Sequence, residues 1–173
     1  MTCRSLFPAL PDAARIWVFA TREAITDTLQ AQLLSRLRSF IAGWRSHGNA
    51  TSGDAVIIDH RFLVVGGILH DGGALSGCSI DSLTRAIESA AQDLDTELLS
   101  PLAVFYRDSD GCVQSASRGA FRRLVKAGDI LDNTPVFDLG VTTVGVFRGG
   151  AFEQPFCESW HARVFRQRAP AAV

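Results

Sequence analysis

Apolar residues recur along this chain with two different spacings, and the switches between them lay out a series of elements. Arg15-Ile16-Trp17-Val18-Phe19-Ala20 is rich in β-branched and aromatic side chains and predicts a first strand. Leu29, Leu33, Leu37, Phe40, Ile41 and Trp44 then fall at three- and four-residue steps, the stripe of an amphipathic helix. Thr26 is its expected N-cap and Gly48 its stop, with Arg45 and His47 near the negative end of the helix dipole. Residues 55–58 and Phe62–Leu69 are continuous apolar runs joined by Asp59-His60-Arg61. They predict a hairpin of strands that are central or covered on both faces. Gly66-Gly67 inside the second run marks either a bulge or a close approach of another group to the backbone.

A second helix follows from Ile80, Leu83, Ile87, Ala90, Ala91 and Leu94, again one stripe, and Pro101 helps to stop it. Residues 102–106 predict a fourth strand. Asp110-Gly111 is a hairpin turn, and residues 112–114 return from it. Arg118–Ala127 is a short helix with Phe121, Leu124 and Val125 inward and Gly128 as its stop. Residues 135–147 carry one or two strands, and residues 159–165 alternate like a last one. The order up to residue 106 is β-α-β-β-α-β. The expected fold is therefore α+β: a ferredoxin-like core with a mainly antiparallel sheet, both helices on one face, and an added C-terminal β-α-β extension. The rival is a three-layer α/β sheet. Residues 15–166 are expected as a single domain, after a loose extension at 1–14 and before a frayed tail at 167–173.

Composition narrows the function classes. A length of 173 residues can bury a real core, and 47% apolar residues is an ordinary globular figure. A formal net charge of −1 gives no overall pull toward nucleic acid, and no RNA- or DNA-binding signature is present. No uninterrupted apolar run approaches the length of a membrane span. Cys3, Cys78, Cys112 and Cys157 show no C-x-x-C spacing, and the N-terminus lacks a secretory pattern. Reduced thiols in the cytoplasm are the expectation. His60 and His70 adjoin Asp59 and Asp71, but no ligand spacing of a metal motif occurs, and nothing calls for a cofactor.

The stretch between the apolar run and the second helix, Asp71-Gly72-Gly73-Ala74-Leu75-Ser76-Gly77-Cys78-Ser79-Ile80-Asp81-Ser82, concentrates the chemistry. Ser79 is read as the N-cap and Asp81 as a first-turn acid, which puts Cys78 beside unpaired N–H groups that favour a thiolate or an anion. Gly72, four residues, Gly77, Cys78, Ser79 has the spacing of a phosphate loop, with Cys in the slot where that loop requires Lys. ATP hydrolysis is accordingly not expected. His161, four residues after Cys157, is a candidate base for Cys78 or a structural histidine. Arg118, Arg122, Arg123 and Lys126 form a basic face on the short helix.

Trp17, Trp44 with Ser46-His47-Gly48, Arg61-Phe62, Ser76-Gly77-Cys78-Ser79-Ile80-Asp81, Tyr106-Arg107, Gly128, Thr134-Pro135-Val136-Phe137-Asp138 and Ser159-Trp160-His161 together resemble a family of small bacterial proteins sometimes labelled "ABC transporter ATPase". The resemblance spans residues 15–166, and its most specific part is the Ser-Gly-Cys-Ser-Ile-Asp stretch. The label does not fit these residues, since such an ATPase needs the phosphate-loop lysine and a much longer domain. The resemblance singles out Cys78, Asp81 and His161.

Three readings follow. In the first, a non-catalytic binding or accessory protein takes a small anion or a partner segment at the Ser76–Ser82 junction, with Ser76, Gly77, Ser79 and Arg122 as ligand-binding residues. In the second, a thiol-dependent enzyme uses Cys78 as nucleophile, His161 as base and Asp81 as orienter. In the third, a structural protein forms a homodimer through an open sheet face.

Overall fold

A computed structural model describes residues 6–166. In chain order its elements are β1 (Arg15–Ala20), α1 (Asp27–Gly43), β2 (Arg45–Ser46), β3 (Asn49–Ile58), β4 (Phe62–Leu69), α2 (Gly77–Asp93), β5 (Val104–Arg107), β6 (Val113–Ala116), α3 (Arg118–Ala127), β7 (Pro135–Phe137), α4 (Val144–Val146), β8 (Glu153–Pro155) and α5 (Trp160–Phe165). Helices and antiparallel sheets make this an α+β fold. The chain forms two compact units where one domain was expected: residues 1–99 with 139–150, and residues 100–138 with 151–173.

The first unit holds the sheet β1-β4-β3-β2, antiparallel throughout. Because β4 lies between them and opposes both, β1 and β3 run parallel, with α1 as their crossover. That is the split β-α-β half of the expected arrangement. The fourth strand of a ferredoxin-like sheet would lie beside β1, but residues 104–107 pair elsewhere, in the second unit. The outer edge of β1 is held instead by single bridges, Arg15 with Thr143 and Thr21 with Leu98. Backbone bonds Ile16 N–H to Thr142 C=O at 3.0 Å and Leu99 N–H to Ala20 C=O at 2.8 Å reinforce them.

Cross-strand register sorts the two faces. Trp17, Val65 and Ala55 share one face, and Phe19, Leu63 and Ile57 lie beside them on it. Leu33, Leu37 and Ile41 of α1 and Leu83, Ile87 and Ala90 of α2 join that same cluster, so both helices cover one face as expected, against the three-layer rival. On the opposite face a side chain at Gly66 would meet Leu10 and Phe7. Leu6, Phe7, Leu10 and Ala14 are buried, so residues 6–14 are packed rather than loose. Arg148 fixes them, donating to the carbonyls of Phe7 at 2.6 Å, Leu10 at 2.9 Å and Leu6 at 3.3 Å and to Asp12 at 2.5 Å.

Thr26 caps α1, accepting from Leu29 N–H at 3.3 Å. The helix ends at Gly43, five residues before the expected stop at Gly48, and Trp44 is extended. His47 (φ 50°) and Gly48 (φ 82°) are the two left-handed residues of a tight hairpin turn between β2 and β3, not a helix terminus. Gly66-Gly67 is a close approach and not a bulge, since the β3–β4 register runs unbroken through it.

The second unit is built on the sheet β6-β5-β7-β8. Its hairpin at Asp108–Cys112 is the expected one. Asp108 accepts from the Gln114 side chain and from the N–H groups of Cys112 and Asp110, which holds its carboxyl below the usual range. The α3 helix spans Arg118–Ala127 and ends at left-handed Gly128, φ 85°, as the sequence predicts; its N-cap is Ser117, which accepts from Ala120 N–H at 3.2 Å. Residues 160–165, read as a strand, form the short helix α5. The expected C-terminal β-α-β extension is thus part of a separate sheet with a helical end. The frayed-tail expectation for 167–173 lies outside the described residues, as does Cys3.

Candidate functional site

The serines at the start of α2 bond to the protein itself. Ser76, not Ser79, is the N-cap, accepting from Ser79 N–H at 3.3 Å. Ser79 is the third helical residue. It is buried, and its hydroxyl donates to the Ser76 carbonyl at 2.8 Å. Gly77 opens the helix, and Cys78 beside it is exposed rather than packed. Asp81 is exposed and sits beyond the first turn, which contains no acid.

The serines reach sideways as well. Ser46 Oγ of β2 donates to Ser76 Oγ at 3.0 Å and accepts from Ser76 N–H at 3.0 Å. Trp44 Nε1 donates to the Ser79 carbonyl at 3.0 Å. The helix start therefore anchors the segment Trp44–Ser46, and Trp44 in turn lies over the sheet. A side chain on Gly67 would stand 2.6 Å from the Trp44 ring, and one on its cross-strand partner Gly53 would stand 3.7 Å from it. Two facing glycines make the room the indole occupies.

Beside this anchored segment the first unit has a cleft of 430 Å³, at the outer edge of β3. Trp44, Ile41 and Leu10 line it with apolar surface, and Arg45, Asp54 and His70 supply charge and polarity. A concave site that combines apolar wall with polar groups can take a small ligand. The chain pattern did not reveal it, because Asn49-Ala50-Thr51-Ser52-Gly53-Asp54 is too polar to read as strand. The Gly66-Gly67 pair was the signal available.

The other predicted residues lie in the second unit. Arg122 is exposed on α3, its guanidinium 5.5 Å from the Phe165 ring centre, with Arg118 over the same ring at 5.6 Å. Cys78 belongs to the first unit and His161 to the second. His161 is buried, stacked on Trp160 with ring centres 3.9 Å apart, and packed near Phe121 and Phe165. Its Nδ1 has no hydrogen-bond partner among the described residues. Burial pushes its pKa down to about 4; Asp138 opposes the shift and Arg118 adds to it. It is a neutral ring at pH 7.

A second cleft, of 520 Å³, lies in that unit between Tyr106, Asp108, Asp129 and Thr134. Burial, then Asp108 and Asp129, raise the Tyr106 phenol. Arg107 in its wall is paired with Glu153 at 2.6 Å. Among the described residues no group of three or more His, Cys, Asp or Glu side chains is placed to hold a metal, and no helix is long and apolar enough to cross a membrane. No family model, no curated protein and no solved structure matches this chain.

Proposed function

We propose that this protein is a binding protein whose ligand occupies the first-unit cleft, with the Ser76–Ser79 helix start holding the cleft wall rather than touching the ligand. One observation carries the reading: the segment that lines the cleft, Trp44 with Arg45, is tied at Trp44 and Ser46 to the start of α2 by three hydrogen bonds of 3.0 Å. A wall fixed in this way before the ligand arrives lowers the ordering cost of binding. The Ser-Gly-Cys-Ser stretch then has a mechanical role that accounts for its serines, and its hydroxyls are already committed.

A panel of small carboxylic acids, amides and nucleotides, screened by thermal shift on the full chain, tests this. A ligand of the native state raises the melting temperature by mass action. The expected outcome is at least one hit whose amide chemical-shift changes centre on Arg45, Thr51 and Gly53. Hits that move only residues elsewhere, or a panel without a hit, would reject the cleft as the site.

A further inference from the structure

Gly53 marks a short opening in the edge of the first sheet. Outside β4, β3 is bordered by β2 only at Asn49 and Ala50. Strand alternation sends the N–H and C=O groups of residues 51, 53, 55 and 57 away from β4. Thr51 N–H is taken by the Trp44 carbonyl at 3.3 Å, while the Thr51 carbonyl has no hydrogen-bond partner among the described residues. Ala55 is closed by side chains: its N–H reaches Asp54 Oδ1 at 2.7 Å, and Arg38 donates to its carbonyl at 3.2 Å. Between these closures the Gly53 N–H and C=O have no hydrogen-bond partner among the described residues, and Gly53 lines the cleft. Ile57 is also directed outward, but it lies beyond the Arg38 closure and outside the cleft lining.

A gap with one free N–H is too short for an added strand. It matches a single amino-acid unit that gives one N–H and offers one acceptor oxygen, the exchange made by a hydrogen-bonded antiparallel pair. Charge then narrows the chemistry. Arg45 lines the cleft and has no ion pair among the described residues. Asp54, the carboxylate in the lining, is already held by Arg38 at 3.3 Å and by Ala55 N–H. The cleft thus presents an unpaired cation, while its carboxylate is already charge-paired through Oδ1. A ligand carboxylate meets an unpaired partner there, whereas a ligand ammonium would share Asp54 with Arg38.

We infer that the cleft binds an N-acylated α-amino acid unit with a free carboxylate and an apolar side chain. The ligand amide N–H donates to the Gly53 carbonyl, one carboxylate oxygen accepts from Gly53 N–H, and Arg45 pairs with the carboxylate. The apolar side chain lies on the side-chain face of Gly53, against Ile41 and Trp44. This inference rests on the cleft being the ligand site. The same chemical unit occurs in a free acyl-amino acid and at the carboxyl end of a peptide.

The test is titration of the isotope-labelled full chain with N-acetyl-L-phenylalanine, its methyl ester, and an acetylated pentapeptide ending in phenylalanine, followed by amide chemical shifts. The acid should move Gly53 and Thr51. Esterification, or Arg45→Gln with the acid, should each weaken binding about tenfold, while Arg45→Gln leaves ester binding unchanged. Tighter binding of the pentapeptide assigns the site to a peptide end, and equal binding to the free acid; both support the inference. Acid and ester binding alike in the cleft, or an Arg45→Gln variant that binds the acid as well as the parent, overturns the chemistry but keeps the cleft as a ligand site. If no probe moves any cleft amide and the wider panel moves none either, the underlying reading fails with it.

Discussion

Trp44 stands where it does because Gly53 and Gly67 lack side chains. A Cβ on Gly67 would sit 2.6 Å and 3.0 Å from two ring carbons, too near for the indole to stay. Gly67→Ala is therefore expected to cost about 1–3 kcal/mol, the usual penalty of overpacking a core. It should also displace Trp44 from its bond to Ser79, seen as loss of the native indole N–H resonance. Unchanged stability together with an unmoved indole signal would contradict this packing. His161 gives a second residue-scale expectation. Its folded pKa of about 4 lies below the ordinary histidine value, so the unfolded chain binds the extra proton first. Stability from this residue is full above the unfolded pKa, falls as pH drops through the window from about 6.5 to 4, and changes no further below it, a loss of roughly 3 kcal/mol. Because Nδ1 has no partner among the described residues, His161→Phe should flatten that slope without a large loss at pH 7. Urea unfolding at a series of pH values measures both. A slope unchanged in the variant would assign the effect to other groups.

Strongly patterned elements were legible in the chain, and those shaped by tertiary contacts were not. The bodies of the long helices, the Asp59-His60-Arg61 hairpin and the Arg118–Ala127 helix with its Gly128 stop follow from apolar stripes and turn residues that act locally. β2 and the first half of β3 were hidden, because an edge strand built from Asn, Thr, Ser, Gly and Asp carries no apolar alternation. In α5 both periods fit a segment of six residues. The structure buries His161, Ala162 and Phe165, which only a helix brings to one side. The cap of α2 was misplaced by three residues because Ser76 and Ser79 both suit the role, and the choice is made by Ser46, thirty residues earlier. Ser76→Ala should cost about 1 kcal/mol as the loss of a cap, and more if the bonds to Ser46 also weaken. Gly77→Ala, where a side chain meets nothing within 4 Å, should instead stabilise the helix by up to about 0.5 kcal/mol. Chemical denaturation of the two variants should show shifts of opposite sign, and a neutral Ser76→Ala would remove that cap from the account.

The site was less legible than the fold because a cleft is a property of the assembled unit. Trp44, Gly53 and Arg45 come together only once β3 has paired, α1 has stopped at Gly43 and the α2 serines have seized Ser46. Arg148 works at the same scale. It holds the carbonyls of Leu6, Phe7 and Leu10 from more than 130 residues away. Arg148→Met leaves those acceptors without their donor, and about 1–3 kcal/mol of local stability should go with it. Hydrogen exchange should then accelerate selectively over residues 6–12, with α2 unaffected; uniform acceleration across the first unit would mean the clamp supports the whole unit and not one segment.

The connectivity of the two units also bears on how the protein is made. The chain leaves the first unit after Leu99, returns at Leu139 and leaves again after Gly150. A ribosome delivers residues in order at about 5–20 per second, and an ordinary N-terminal domain folds while the rest is still being synthesised. Here the partners of Arg15 and Ile16, and the clamp on Leu6–Leu10, emerge only with Thr142, Thr143 and Arg148. For several seconds the nascent sheet therefore has one edge of β1 and the Gly66 face incompletely covered, and both are surfaces a chaperone would recognise. Slowing translation across residues 100–150 is therefore expected to lower the yield of folded protein, measured as soluble chain from synonymous-codon variants, and an unchanged yield would count against this order of assembly.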